Sequence, residues 1–291
     1  PESLAEPPPV IEGDALRSVE RLEWARALIR DGRLPEAVEA YRHAARLDPD
    51  RVDVRVELAR AHESVSSADT ALSAWEEVLE LDSEHPEASA GVAHGLRSAG
   101  RYVEALAAYD RALERSPVAG ALRDQALVGR AETLRLLGRW NDALGWFAKA
   151  LDRTPTHLGA LKGQALTLDA LGRHSEAESL WRRALAIDAE REDLRQGLSR
   201  TLEALRSSQE QGRRARAREA FTTGRERLKA GRPKEAVVAL QTSTALQPAW
   251  GAAHYLLGLC YADLSEWGNA ARAFGQVLLH EPDHIDASWR R

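Results

Sequence analysis

Hydrophobic positions recur along most of the chain at steps of 34 residues, with single steps of 38 and 59. Each recurrence has an alanine, a large apolar side chain four residues later, and a small or branched residue three positions further on. The alanines are Ala37, Ala71, Ala105, Ala143, Ala177, Ala236 and Ala270, and the large residues are Tyr41, Trp75, Tyr109, Phe147, Trp181, Leu240 and Phe274. Steps of four and three residues place side chains on one face of an α-helix, so the pattern predicts seven amphipathic helices.

Glycine and proline mark the ends of the predicted helices. Five residues before the repeat alanine stands Gly32, Gly100, Gly138, Gly172 or Gly231, with Ser66 and Ser265 in the other two units. Twelve residues after it stands Pro49, Pro117, Pro155, Pro248 or Pro282. Glycine favours the left-handed conformation that closes a helix, and proline cannot continue one. Each unit is therefore predicted to be two antiparallel helices joined by a short turn.

A small residue also recurs in the first helix of every unit. These residues are Ala25, Ala59, Ala93, Ala131, Ala165, Gly224 and Gly258. Together with the period, they resemble the tetratricopeptide repeat, and residues 100–117 and 138–155 look like its second helix. The resemblance covers about residues 18–285, although Ser83 and Ala189 replace the proline between units and the early tryptophan of the family is absent. It implies an all-α, right-handed superhelical solenoid of antiparallel helix pairs.

The irregular steps predict how the array is divided. Residues 1–17 are rich in proline and are predicted to form a linker or a disordered lead-in, residues 18–191 to hold five repeat units, and residues 217–284 to hold two more. Between them, residues 192–216 have room for one extra helix and an arginine-rich connection, where a break in superhelical register is expected. The step of 38 residues predicts a longer first helix in the fourth unit. Residues 285–291 look like the start of a truncated capping helix, as in a segment of a larger bacterial protein.

Composition restricts the class of protein further. The chain has 291 residues, of which 44% are hydrophobic and 29% are charged, and its formal net charge is −5. No sequence run is long and apolar enough to span a membrane, and the negative charge argues against a nucleic-acid-binding protein. The single cysteine, Cys260, excludes an internal disulfide. We expect a cytoplasmic location, while the periplasm stays open because the native N-terminus is missing.

The sequence contains no catalytic constellation, and we predict that the segment is not an enzyme and needs no cofactor. His280 and His284 match the spacing of the zinc-protease string His-Glu-x-x-His, but Pro282 between them predicts a turn, so the two rings would not share a helical face. Cys260 lies within a first helix and is interpreted as a small buried residue rather than a reactive thiol.

The resemblance implies that the first helices line a concave binding face. In the first five units, the positions that carry this face in the family are Leu22, Arg26, Val56, Arg60, Ala90, His94, Arg97, Val128 and Arg135. They predict an apolar floor edged by arginines, suited to a protein segment with acidic or amphipathic character. In the last two units, Phe221, Arg225, Tyr255 and Leu259 predict a second, more apolar surface.

Two functions follow from this sequence. The first is a non-catalytic scaffold that binds peptide segments or partner proteins on the concave face. The alternative is a regulatory or substrate-docking arm of a larger enzyme, such as a kinase, protease or glycosyltransferase. Repeats that hold the C-terminal tails of chaperones carry lysine and asparagine at the fifth and ninth residues of a unit. In the first three units these positions are Leu22 and Arg26, Val56 and Arg60, and Ala90 and His94, which do not match. The arginines at 213, 214, 216 and 218 are interpreted as a solvated helix face rather than a phosphate-binding site.

Overall fold

The computed structural model describes residues 14–65, 68–115 and 120–283. All regular elements among these residues are α-helices. They are α1 (Asp14–Arg30), α2 (Leu34–Leu47), α3 (Val52–Val65), α4 (Ala68–Leu81), α5 (Pro86–Ser98), α6 (Tyr102–Arg115), α7 (Gly120–Leu136), α8 (Trp140–Arg153), α9 (Leu158–Ala170), α10 (His174–Ile187), α11 (Glu192–Lys229), α12 (Pro233–Leu246), α13 (Gly251–Asp263) and α14 (Trp267–His280).

The chain divides into two compact units, residues 1–199 and residues 200–291. In the first unit, successive helices pack as the pairs α1/α2, α3/α4, α5/α6, α7/α8 and α9/α10, and each pair also packs on the next. The second unit contains residues 200–229 of α11 together with α12, α13 and α14. The described part of the chain therefore consists of stacked helix pairs, as the repeat pattern predicts. No described helix combines the length and the apolar character that a membrane span requires.

The second helix of each pair is fixed by its periodic apolar residues. In α8, the side chains of Ala143, Phe147 and Ala150 are fully buried, while the residues between them are more exposed. Their spacing of four and three residues creates the buried stripe. Burial of an aromatic side chain of this kind stabilises the fold by about 2–3 kcal/mol through the hydrophobic effect alone.

The turn inside each pair needs a residue with positive φ. At Gly138, with φ +73°, the N–H of Arg139 donates to the carbonyl oxygen of Leu134 at 2.9 Å, and the N–H of Gly138 donates to that of Arg135 at 3.0 Å. This is the hydrogen-bond pattern of a Schellman motif, which closes a helix in the left-handed region. The same positive φ occurs at Gly32, Gly100, Gly172 and Gly231, which confirms the role predicted for these glycines.

Ser265 adopts φ +59° at the equivalent turn of the last pair, and it is the non-glycine residue with positive φ among the described residues. Because a side chain at this angle is strained, we expect Ser265→Gly to raise the free energy of unfolding by about 0.5–1 kcal/mol. The reverse change at a matched turn, Gly172→Ala, should lower it by a similar amount. Urea denaturation followed by far-ultraviolet circular dichroism measures both, and a change of the same sign for the two substitutions would contradict the assignment.

Neighbouring pairs interlock through an aromatic ring and a glycine. A Cβ atom added to Gly163 in α9 would lie 2.3 Å from Cζ of Phe147 in α8, which is too close for a real contact. The ring therefore occupies the space that any side chain at position 163 would need. The same relation joins Trp75 to Gly91, Tyr109 to Gly129, and Trp181 to Gly197. The repeat pattern predicts that the aromatic rings are buried, but it does not single out the glycines that they contact.

The helix boundaries confirm one expectation and correct two. Helix α7 has 17 residues, whereas α5 and α9 have 13, so the fourth unit does have a longer first helix. Helix α1 begins at Asp14, inside the segment predicted as a linker. The connection predicted within residues 192–216 is wrong, because α11 is continuous from Glu192 to Lys229. Residues 1–13 and 284–291, which include the predicted capping helix, lie outside the described residues, as does Ser66.

The continuity of α11 has a simple physical reason. A helical segment without an apolar face packs poorly on its neighbours. It nevertheless stays helical unless its residues prefer another conformation. Eight of the eleven residues 206–216 are arginine, glutamate, glutamine or alanine, which favour helix, and these outweigh Ser207, Ser208 and Gly212; the stretch has no proline. Within this stretch, Arg214 forms an ion pair with Glu210 one turn earlier, and Arg213 donates to the carbonyl oxygen of Leu246 at the end of α12. Arg216 donates to the carbonyl oxygen of Gly212 at 3.4 Å, so three of the four clustered arginines have partners inside the chain.

Candidate functional site

A cleft of about 430 Å³ opens on the first unit, along α5 and α7. These first helices of the third and fourth pairs contact each other directly, so their side chains form a shared surface. Its apolar part includes Ala90, Leu122, Val128 and the ring of Tyr109. Charged and polar side chains of the lining are Glu63, Glu87, His94, Arg97, Gln125, Glu132 and His157.

The cleft brings together four of the nine residues predicted for the first surface, namely Ala90, His94, Arg97 and Val128. The predicted apolar floor is wrong at two positions. Leu22 and Val56 are 1% and 6% exposed, and both belong to the hydrophobic core. Their side chains face the neighbouring helices of the stack, so a ligand cannot reach them. Helical periodicity alone does not distinguish a residue on the concave surface from one just beneath it.

Three of the four predicted arginines are bound to carboxylates of the chain itself. Arg26 donates from Nε to Glu57 at 3.0 and 3.1 Å, and this hydrogen bonding raises the pKa of Arg26. Arg60 donates to both oxygens of Glu87, and Arg135 donates to Glu132 from Nε at 2.9 Å and from Nη2 at 2.8 Å. The arginine edge predicted for an acidic ligand is therefore largely neutralised at Arg26, Arg60 and Arg135.

Arg97 differs from these three arginines. Among the described residues, no carboxylate lies within ion-pair distance of its guanidinium, and its Nε is buried without a hydrogen-bond partner. One terminal nitrogen, Nη2, lies 3.4 Å from Nδ1 of His94. The surrounding protein lowers the pKa of His94, and the charge of Arg97 lowers it further, so the ring is neutral at pH 7 and accepts from the guanidinium. Arg97 thus brings an unneutralised charge to the cleft.

The carboxylates of the cleft all have partners inside the chain. Glu87 and Glu132 bind Arg60 and Arg135, as described above. Glu63 accepts a hydrogen bond from Nε1 of Trp75 at 2.9 Å. Burial raises the pKa of the neighbouring Tyr109 hydroxyl, while the charge of Arg97 acts in the opposite direction. The polar groups of the lining that have no ion-pair partner among the described residues include Arg97, Glu63, His94 and the amide of Gln125.

The longer first helix of the fourth pair contributes part of this cleft. Leu122 and Gln125 lie near the start of α7 and line the opening. His157 lines it as well, and its Nδ1 accepts from the N–H of Ala160 at 3.2 Å, which caps the start of α9. None of these three residues is among those predicted from the sequence for this surface. The four inserted residues were the signal that pointed to α7, but spacing alone did not place them at a ligand surface.

The predicted surface of the second unit is partly packed. Phe221 stacks on Trp250, with ring centroids 4.6 Å apart, and Tyr255 lies over Phe274 at 5.7 Å. Phe221, Tyr255 and Leu259 are half-buried against the hydrophobic clusters of this unit. Arg225 is exposed, with its guanidinium carbon 6.0 Å from the centroid of the Phe221 ring. These side chains stabilise the unit and leave only part of their area for a partner.

The other residues considered for chemistry in the sequence are Cys260, His280 and His284. Cys260 is fully buried, and this burial raises the pKa of its thiol to about 11. Helix α14 ends at His280, and the residues that follow form a turn up to Asp283, while His284 lies outside the described residues. In the part of the chain that the structure describes, no three histidine, cysteine, aspartate or glutamate side chains are grouped as metal ligands would be.

Two family models, both described as tetratricopeptide repeat, match the chain. One matches residues 122–190, and the other matches residues 22–86, 58–120 and 221–288. No curated protein matches.

Solved structures share the fold at low sequence identity. A tetratricopeptide repeat protein from Parabacteroides merdae ATCC 43184 is 16% identical, with a TM-score of 0.55 over 94% of this chain and 97% of that one. PilW, described as a type IV pilus biogenesis factor, is 13% identical over the same shares, also with a TM-score of 0.55. MamA from Desulfovibrio magneticus RS-1 is 15% identical, with a TM-score of 0.54 over 62% of this chain and 99% of that one.

Proposed function

Because the chain belongs to the tetratricopeptide repeat family, whose proteins generally act as non-catalytic interaction scaffolds, we propose that its first unit binds a segment of a partner protein in the cleft between α5 and α7. The segment carries an acidic side chain that pairs with Arg97, and apolar side chains that contact Leu122 and Val128. A volume of about 430 Å³ accommodates a few side chains of an extended or helical peptide.

The observation that carries this proposal is that Arg97 lines the cleft without a carboxylate partner among the described residues. Arg97 is half-buried in the cleft lining, and among the described residues no carboxylate lies within ion-pair distance of its guanidinium. A ligand carboxylate that reaches the terminal nitrogens would therefore pair with a charge that has no carboxylate partner. Arginine binds carboxylates with two parallel hydrogen bonds, which adds geometric specificity to the attraction between charges. Two of the carboxylates that line the cleft, Glu87 and Glu132, are paired with Arg60 and Arg135, so they compete little for Arg97.

A peptide-library selection against the whole chain tests the proposal. We expect the selected peptides to contain aspartate or glutamate next to apolar residues. Arg97→Gln should weaken the binding of a selected peptide by about tenfold or more, because a hydrogen-bonded charge pair contributes about 1.5–3 kcal/mol. The measurement is fluorescence anisotropy of the labelled peptide at constant salt.

Arg182→Gln is the control, because Arg182 lies on α10, does not line the cleft and binds Glu178. It should change the affinity less than Arg97→Gln does. Selected peptides without acidic residues, or equal effects of the two substitutions, would refute the proposed role of Arg97.

A further inference from the structure

Two residues of the fourth pair depart from the repeat pattern at positions that contact each other. Trp146 in α8 stands where five other units have alanine and one has leucine. These residues are Ala40, Ala74, Ala108, Ala239, Ala273 and Leu180. Arg130 in α7 stands where the other units have Trp24, Leu58, Val92, Gln164, Thr223 and Leu257. The internal repeats thus single out both residues as exceptions within one pair.

These two residues form a surface with Lys149 and Arg139. The guanidinium carbon of Arg130 lies 3.9 Å from the centroid of the Trp146 ring, and Nζ of Lys149 lies 3.8 Å from it. Arg139 and Asn141 border the same recess, which has a volume of about 360 Å³ and shares no residue with the cleft. We call it the Trp146 recess.

The recess has more positive than negative charge. Asp110 of α6 accepts from Nε of Arg130, and Asp142 accepts from Nε of Arg139 at 2.9 Å. Among the described residues, no carboxylate lies within ion-pair distance of Lys149. Its ammonium contacts the indole ring, and a second cation lies on the same ring. Two cations on one ring repel each other, so an added carboxylate would be attracted to the ammonium.

The recess also has the makeup of a protein contact site. Trp146 is half-buried, which leaves part of its ring accessible, and position 145 is a glycine at which an added Cβ would meet only open space. A half-buried tryptophan beside arginine is typical of residues that dominate the energy of protein interfaces. The amide of Asn141 adds a donor at the border.

We propose that the Trp146 recess is a second binding surface, which takes a short acidic segment of a partner protein. A carboxylate of that segment pairs with Lys149, and a neighbouring apolar side chain lies on the indole ring. The recess and the cleft share no lining residue, so a segment bound in one leaves the other open.

The probe for this proposal is a fluorescein-labelled octapeptide of alternating glutamate and leucine, with an octapeptide of alternating lysine and leucine as its counterpart. All measurements use the full chain with Arg97→Gln, so that the cleft contributes little. We expect the acidic peptide to bind more tightly than the basic one, and Lys149→Gln to weaken it about fivefold or more. Lys234→Gln removes one exposed lysine charge in the second unit and should change the affinity less than twofold.

A second substitution separates binding from packing. Trp146→Ala restores the residue of most other units and should weaken the acidic peptide as much as Lys149→Gln does, whereas Trp146→Phe should retain part of the affinity. If Trp146 and Arg130 only fill space between helices, Lys149→Gln will not differ from Lys234→Gln. That result, or equal binding of the acidic and basic peptides, would overturn the proposal.

Discussion

Replacement of Phe147 by alanine is expected to lower the free energy of unfolding of the first unit by about 3–5 kcal/mol. The side chain is fully buried in α8, and its ring contacts the backbone of α9 at Gly163. Its removal therefore empties space inside one pair and between two pairs. In a repeat array each unit is stabilised mainly by its neighbours, so the loss should concentrate in α7, α8 and α9.

Urea denaturation gives the size of this effect, and hydrogen exchange measured by mass spectrometry gives its location. Val103→Ala in α6 is a suitable control, because Val103 is 72% exposed and its truncation should change the free energy of unfolding by less than about 0.5 kcal/mol. A similar small effect for Phe147→Ala would mean that the ring does not join the pairs.

Gly163→Leu is expected to destabilise the first unit by about 2–3 kcal/mol, although leucine favours helix more than glycine does. A Cβ at this position would lie 2.3 Å from the Phe147 ring and 2.6 Å from Oε1 of Glu132. The ring is buried and cannot move without a displacement of its own neighbours. The steric cost should therefore exceed the gain of about 1 kcal/mol in helix propensity.

Gly145→Leu is the matched substitution, because an added Cβ at Gly145 in α8 would meet no atom within 4 Å. It should leave the free energy of unfolding unchanged or raise it slightly. In the double variant Phe147→Ala/Gly163→Leu, the leucine can enter the emptied space, so the loss should be smaller than the sum of the two single losses. Strict additivity would show that the ring and position 163 do not compete for space.

The sequence was sufficient to predict the helix pairs, because periodicity and turn chemistry indicate the same boundaries. The buried face of α8 and the positive φ at Gly138 both follow from local spacing. The length of α7 follows from the step of 38 residues. The end of a helix without an apolar face was not predictable in this way, since α11 continues through residues 206–216, where most residues favour helix and Arg214 pairs with Glu210.

The candidate site was less predictable, because its electrostatics depend on residues that are distant in sequence. Arg26 and Arg60 look available in the sequence, but their partners Glu57 and Glu87 lie 31 and 27 residues away. Only the packing of one pair on the next shows that these charges are paired and that Arg97 is not. Similarly, the contact between Trp146 and Arg130 joins two helices of a pair, so neither residue alone indicates a surface.

Photo-crosslinking of a library-selected peptide tests the central claim, which is that the cleft along α5 and α7 binds a partner segment. Gln125 lines the cleft and is exposed, so it can be replaced by benzoylphenylalanine, and Ser179, exposed on α10, serves as the control position. We predict a crosslink from position 125 that disappears with Arg97→Gln, and none from position 179. Equal crosslinking from both positions, or a crosslink at position 125 that persists with Arg97→Gln, would contradict this account.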